Sequence, residues 1–302
     1  MSKLISSLLV FLLSFVSTGS NPNSIPVSNQ TTIIFTGDIM LGRSVMGAAL
    51  DNNDPFYPFR KLNSFLSSAD ITFSNLENPI TENCKRHVGG FTFCTTPEIA
   101  KGLKFAGIDV VTLANNHSEN YGKEGLEETK SQLTTLGIKS VGYGNLEKFQ
   151  KNEIKFGFLG FNYTFNTTNL GNDLKVIKDS DSKVDILIVG PHWGDEYKSI
   201  ANNFQVKAAH SMIDSGADVV IGHHPHWVQN FEEINGKPVY YSLGNFIFDQ
   251  MWSEETKKGL IVKMTFDTPE GEADVKLVKR EEFKTYISKI GQPEIVEQNI
   301  SD

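Results

Sequence analysis

The feature that most constrains this chain is a recurring unit. Short apolar, β-branched runs stop abruptly at a glycine or a polar residue, and stretches with helical spacing separate most of them. Runs of this kind begin at Thr31, Ile71, Ile108, Val184 and Val219. Strands that alternate with helices pair in parallel, and their polar ends then gather on one carboxyl edge. The run Val219-Val220-Ile221 is the most loaded: Gly222 breaks it, and His223, His224 and His226 follow. Near the end, residues 259–266 and 274–283 alternate like an antiparallel pair joined at Pro269-Glu270-Gly271, so the expected class is α/β with mixed sheets.

Between these runs, residues 58–69 carry Phe59, Leu62, Phe65 and Leu66 at helical spacing. Helices are also expected from Pro97 to about Phe105, from Lys123 to Leu136 and from Asn202 to Ser215, stopped by Gly107, Gly137 and Gly216. Ile138–Gly142 and Ile154–Phe165 read as strands, and Pro238–Leu243 is a further strand ending in Gly244-Asn245. Residues 166–173 are polar, with a formal glycosylation pattern at Asn166-Thr167-Thr168, and 175–183 carry no clear period. One domain is expected over 31–290, with a loose tail over 291–302.

The 302 residues are 39% hydrophobic and 21% charged, a globular composition. The formal charge of −8, without a Lys/Arg cluster, argues against nucleic acid as partner. Lys3, the apolar stretch Leu4–Val16 and the small residues 17–20 read as a signal peptide over 1–20, the alternative being an uncleaved membrane anchor, followed by a linker over 21–30. Export fits Cys84 and Cys94, which stand in a loop-like stretch: a disulfide closing it would contribute about 3 kcal/mol in the chain-entropy model, the alternatives being two free thiols or metal ligation.

Five strand ends carry groups suited to a metal: Asp38, Glu77, Asn116 with His117, His192, and His224 with His226. Carboxylate, amide and imidazole without thiolate suit Mn²⁺, Zn²⁺ or Fe²⁺. Arg43 either holds an anionic oxygen or pairs on the surface, and Glu196 either orients an imidazole or is a solvated charge. Asn245 and Asp249 are placed at the same mouth. His223 reads as structural or as support for the ligands. Trp193 and Trp227 form either an apolar wall or core.

The segments Thr36–Arg43, Asn75–Thr81, Ala114–His117, His192–Tyr197, Gly222–His226 and Tyr241–Phe246, in this order, resemble the capsule-synthesis CapA family, the poly-γ-glutamate capsule family. That family is similar in fold to calcineurin-like metallophosphoesterases, which implies two packed mixed sheets flanked by helices in four layers, α/β/β/α. The resemblance implies one ion held by Glu77, Asn116, His192 and His224. A second position has only Asp38, Glu77 and His226, because Met40 stands where the phosphoesterase motif has a histidine. Glu77 replaces the usual bridging aspartate, and Asn120 stands where the CapA pattern usually has aspartate.

By this resemblance His117 is the general acid of a metal-dependent hydrolase or transferase acting on an anionic, γ-glutamyl or phosphoryl substrate. The rival expectation is a metal-binding accessory subunit of surface polymer synthesis or export, beside membrane-bound capsule synthesis proteins. Both place the chain outside the cytoplasm, periplasmic, extracellular or surface-associated. A third, a small-molecule binding protein, shares only the fold.

Overall fold

Apolar runs without polar alternation need cover on both faces, and the computed structural model of the protein provides it with two facing sheets, each backed by helices. It describes residues 30–301 apart from 166, 270, 271 and 273. The stretch read as a signal peptide, the expected linker before Gln30, Asn166 of the acceptor pattern and Glu270-Gly271 of the expected join therefore lie outside the described residues.

The chain opens with β1 (Thr31–Ile39) and α1 (Arg43–Asp51), a 3₁₀ turn at Tyr57–Phe59, the single-turn α2 (Asn63–Leu66) and β2 (Ile71–Leu76). Then come α3 (Pro97–Phe105), β3 (Val110–Thr112), α4 (Gly122–Thr135) and β4 (Lys139–Val141). A hairpin of β5 (Glu147–Lys151) and β6 (Ile154–Asn162) leads through α5 (Leu170–Asp181), β7 (Ile186–His192), α6 (Asn203–Asp214) and β8 (Val219–Ile221). After β9 (Phe231–Ile234), β10 (Lys237–Tyr240), β11 (Asn245–Ile247) and α7 (Glu254–Lys257), the closing strands are β12 (Lys258–Asp267), β13 (Lys276–Lys289) and β14 (Gln292–Ser301).

One sheet runs β14-β13-β12-β1-β2-β3-β4, with β11 added beside the end of β1; the other runs β5-β6-β7-β8-β10-β9. In the first sheet β1 to β4 run parallel out to one edge and β12 to β14 are antiparallel toward the other; in the second the parallel strands β6, β7, β8 and β10 are flanked by antiparallel β5 and β9. Side chains alternate between the faces of a strand, and the cores divide accordingly. Ile33 and Phe35 of β1 join Phe156, Ile188 and Ile221 in the core between the sheets, whereas Ile34 faces the core under α1, α3 and α4. Leu187 and Val189 of β7 face α5 and α6. The layers are α/β/β/α, as the family resemblance implied.

The structure corrects several local expectations. Residues 58–69 are not one helix: the run is broken into the 3₁₀ turn and α2. Its spacing recorded a buried face, with Phe59 and Leu66 in the core, and Pro58 at the start of the turn sets a tighter winding. β1 does not stop before Gly37 but continues to Ile39, because β11 pairs with its end in the register Asp38↔Asn245. A Cβ on Gly37 would lie 2.0 Å from the Gly244 carbonyl oxygen, so only glycine permits this approach. Residues 170–181, partly polar and partly without a period, form α5. The tail expected to be loose is β14, paired along β13, with Ile295 packed on the core under α1. Here a sheet edge provides the hydrogen bonds, which composition does not reveal.

Candidate metal centre

The carboxyl ends of β1, β2, β3, β7 and β8 bring their polar residues together. Asp38 is the penultimate residue of β1, Glu77 directly follows β2, Asn116 and His117 follow β3, and His192 is the last residue of β7. After β8 the backbone turns sharply: His224 and His226 have φ of 98° and 58°. Non-glycine residues held there cost on the order of 1–3 kcal/mol each. Gly222 makes the turn possible, since a Cβ would sit 2.1 Å from the Tyr241 carbonyl oxygen.

Asp38, Glu77 and His192 have no exposed surface, and one ligand atom from each lies within 4.8 Å of the others. Asp38 Oδ1 accepts from Asn75 Nδ2 at 2.9 Å and faces His223 Nδ1 at 3.0 Å; its Oδ2 accepts from the His224 amide at 3.3 Å. Asn75 Nδ2 also donates to Glu77 Oε1 at 2.9 Å, so one amide bridges the two carboxylates. His192 Nε2 is 2.9 Å from Asn116 Oδ1 and 3.8 Å from Glu77 Oε1. His226 Nδ1 is 3.0 Å from Asn245 Oδ1 and 3.4 Å from Asp38 Oδ2, and its Nε2 is 4.0 Å from Glu77 Oε2.

Burial dominates the electrostatics. It would raise the Asp38 carboxyl, but hydrogen bonds from His223 and His226 hold it well below the ordinary value. Glu77 is pushed well above its ordinary value, first by burial and then by the Asp38 charge. Burial lowers His192 well below 6.5, aided by His224, and takes His224 to about 4, aided by His226. His226 goes the other way, to about 9: burial opposes its charge, but Glu77 and Asp38 outweigh it.

This donor set fits a divalent cation. Two buried carboxylates have only histidines as ion-pair partners among the described residues. Glu77 Oε2 and His224 Nδ1 are buried without a hydrogen-bond partner. Unpaired buried acceptors beside a crowded carboxylate pair are costly, and a cation would remove that cost. Met40 does not contribute. It packs in the core under α1, with its Sδ 3.1 Å from the Gly42 amide nitrogen.

His117 stands beside this group, stacked on Phe93 with ring centroids 4.0 Å apart. Its Nδ1 is 3.2 Å from Asn120 Oδ1, which also accepts from the Phe93 amide at 2.7 Å. That oxygen can only accept, so His117 Nδ1 carries the ring proton and Nε2 the lone pair. Burial takes its pKa to about 4, against a raising hydrogen bond to Asn120.

Arg43, expected to hold an anionic oxygen or to pair on the surface, is buried and already paired. Its Nη2 donates to Asp249, its Nη1 donates to Gly90 O at 2.8 Å, and its guanidinium lies 4.5 Å from the Phe93 ring centre. Asp249 also accepts from the Ser44 amide at 3.2 Å, capping α1. Glu196 is exposed and reaches the site as a charge toward Glu77 and His226, while Asn245, Asp38 and Asn116 stand against the imidazoles. Trp193 is core, donating to Tyr241 O at 2.9 Å; Trp227 is half-buried near Tyr197. Cys84 and Cys94 form a disulfide.

Asn75 escaped the sequence reading. It is two residues before Glu77, a spacing that puts both on one side of an extended chain, and that signal would have found it. Asn115 also escaped: its Nδ2 donates to Asn75 Oδ1 at 3.0 Å and its Oδ1 accepts from the His117 amide. Phe93 gave no local signal.

Facing mixed sheets with this set of groups at the carboxyl edge define a protein of the metallophosphoesterase-like fold class. Solved structures agree. A putative 5'-nucleotidase from Staphylococcus aureus in complex with alpha-ketoglutarate is similar with a TM-score of 0.53 at 14% identity, covering 84% of this chain and 54% of that one. A hypothetical protein from Thermus thermophilus gives 0.50 at 15% identity, covering 90% and 99%. Residues 32–250 match the bacterial capsule synthesis protein PGA_cap family, and the chain belongs to it. It is 30% identical over 262 residues to the capsule biosynthesis protein CapA of Bacillus anthracis, covering 78% of this chain and 64% of that protein. To the PGA biosynthesis protein CapA of Bacillus subtilis it is 32% identical over 250 residues, covering 75% and 66%. It thus spans slightly less than two thirds of the length of these relatives.

Proposed function

We propose that this protein is an exported, metal-dependent hydrolase or transferase of capsular poly-γ-glutamate biosynthesis, acting on a γ-glutamyl or phosphoryl group. The observation that carries the reading is the buried Asp38–Glu77–His192 group with a neutral imidazole, His117, beside it. Glu77, Asn116, His192 and His224 would hold the principal ion, Mn²⁺, Zn²⁺ or Fe²⁺, and Asp38 and His226 would be the further donors. A bound divalent ion supplies Lewis acidity toward the substrate oxygen and lowers the pKa of a bound water.

The chain's own groups do the rest. Asn75 and Asn245 fix the carboxylate and imidazole orientations. His117 rests neutral, its Nδ1 proton committed to Asn120, so Nε2 takes up a proton. An anionic oxygen placed against the ring favours the imidazolium and turns it into the donor to a leaving group. Arg43, neutralised by Asp249, shapes this wall rather than binding the anion alone. Export is supported by the disulfide, and among the described residues no helix is long and apolar enough to cross a membrane.

Met40 favours a second reading, a metal-binding accessory subunit beside membrane-bound capsule synthesis proteins, because the second ion position lacks a ligand there. Metal analysis of the purified chain, with His117→Ala assayed on a generic phosphodiester and a γ-glutamyl peptide, separates the two. Bound metal with His117-dependent turnover supports the enzyme. Stoichiometric metal without turnover supports the accessory role. No metal, with His224→Ala indistinguishable from the parent, would sink both.

A further inference from the structure

The loop closed by Cys84–Cys94 does more than brace the surface. Its base is closed by backbone bonds between the segments that enter and leave it: the Thr81 amide donates to Thr95 O at 3.0 Å and the Thr95 amide to Pro79 O at 2.9 Å. Inside it, His87 spans Lys85 O at 2.9 Å and Thr92 O at 3.1 Å. At its tip Gly89 and Gly90 both have positive φ, and Val88 and Phe91 are exposed. One face of this loop meets the candidate site at several points. Phe93, the residue before Cys94, stacks on His117 and lies under the Arg43 guanidinium. Its amide and His117 Nδ1 share one acceptor, Asn120 Oδ1. Gly90 O takes a second Arg43 proton, and the Tyr121 hydroxyl lies 3.1 Å from Cys94 Sγ. None of these contacts is made to the side chains of Asp38, Glu77, Asn116, His192 or His224, although His117 directly follows Asn116 in the chain.

We propose that the Cys84–Cys94 loop is the positioning element of His117 and Arg43, with Phe93 as the positioning residue, and that it acts independently of the metal ligands. The proposal rests on the reading of His117 as the proton-transfer group. Two adjacent glycines at the tip leave the loop little stiffness of its own, so the bridge sets where Phe93 stands. Without it the imidazole loses its stacked neighbour and the partner that fixes Asn120. Small misplacements of a proton-transfer group reduce the chemical step while leaving binding of the substrate largely intact.

The test uses the full, metal-loaded chain with bis(p-nitrophenyl) phosphate, comparing the parent with Phe93→Leu, Phe93→Tyr and the Cys84→Ser/Cys94→Ser pair. Phe93→Leu and the serine pair are expected to lower kcat about 10- to 100-fold, with KM and metal stoichiometry unchanged, and Phe93→Tyr to retain most of the activity. A second readout needs no turnover: the His117 ring protons, observed by NMR, lose the ring-current displacement of Phe93 in both Phe93→Leu and the serine pair. Unchanged kcat in Phe93→Leu, or metal lost together with activity, would overturn the proposal. So would coincident His117 resonances in the parent and the serine pair. Absence of turnover in the parent itself removes the reading on which the proposal rests, and the resonances still decide whether the loop positions the ring.

Discussion

Replacing Asn75 by aspartate changes one donor group into an anionic oxygen without changing shape. In the structure Asn75 Nδ2 is 2.9 Å from both Asp38 Oδ1 and Glu77 Oε1, and all three side chains are fully buried. Hydrogen bonds to charged groups contribute about 1.5–3 kcal/mol each, so losing two costs about 3–6 kcal/mol before any repulsion. Asn75→Asp also puts a third carboxylate against two others, and the sum approaches the whole stability of an ordinary domain, about 5–15 kcal/mol. Thermal unfolding of chelator-treated protein should therefore show a loss of well over 10 °C, at about 2–4 °C per kcal/mol for a chain of this size. A saturating divalent ion should restore much of it, because the added carboxylate strengthens the cation site while the cation screens the three charges. Equal unfolding curves for parent and Asn75→Asp without metal would refute the reasoning, since Asn75 would then not be donating to these carboxylates. A loss that metal fails to reduce would refute the assignment of the cluster as a cation site.

Three further outcomes follow from the same geometry. With His226 at about 9, metal-free protein should lose stability as pH climbs from about 6.5 through 9; with His224 at about 4, it should lose stability as pH falls from about 6.5 toward 4, and chemical denaturation across this range checks both limbs. Asp249→Ala leaves the Arg43 guanidinium buried without its counter-charge and uncaps Ser44, so a loss of about 3–5 kcal/mol is expected in urea unfolding, and a change under 1 kcal/mol would show the pair to be dispensable. Gly222→Ala drives a Cβ into the Tyr241 carbonyl; it should abolish metal binding, measured by calorimetry, or prevent folding, and an unaffected variant would mean the turn after β8 is not held as described.

Much of the candidate site was legible because polar residues at parallel strand ends leave a local mark. Asp38, Glu77, Asn116, His192, His224 and His226 each follow or finish an apolar run, and parallel pairing makes such ends converge. The pattern marked the strands as α/β with mixed pairing, and the family resemblance implied their division into two sheets and four layers. What it did not carry were contacts fixed by register and long-range packing. Arg43 and Asp249 are 206 residues apart, and nothing near either names the other. Phe93 is one more loop residue in the sequence, and only the disulfide and Asn120 place it on His117. The segment from Gln292 is polar enough to resemble a free tail, yet the open edge of β13 makes it a strand.

By itself, then, the sequence determined which polar residues stand at the strand ends and that their strands run side by side, since apolar runs and the glycines that end them are properties of neighbouring residues. Only the tertiary structure decided how those residues are charged and held. Asn75 between two carboxylates, His226 drawn up by Glu77, and Phe93 against both His117 and Arg43 depend on distances across strands and loops. Electrostatic shifts follow burial and separation in space, and neither is written in the order of the chain.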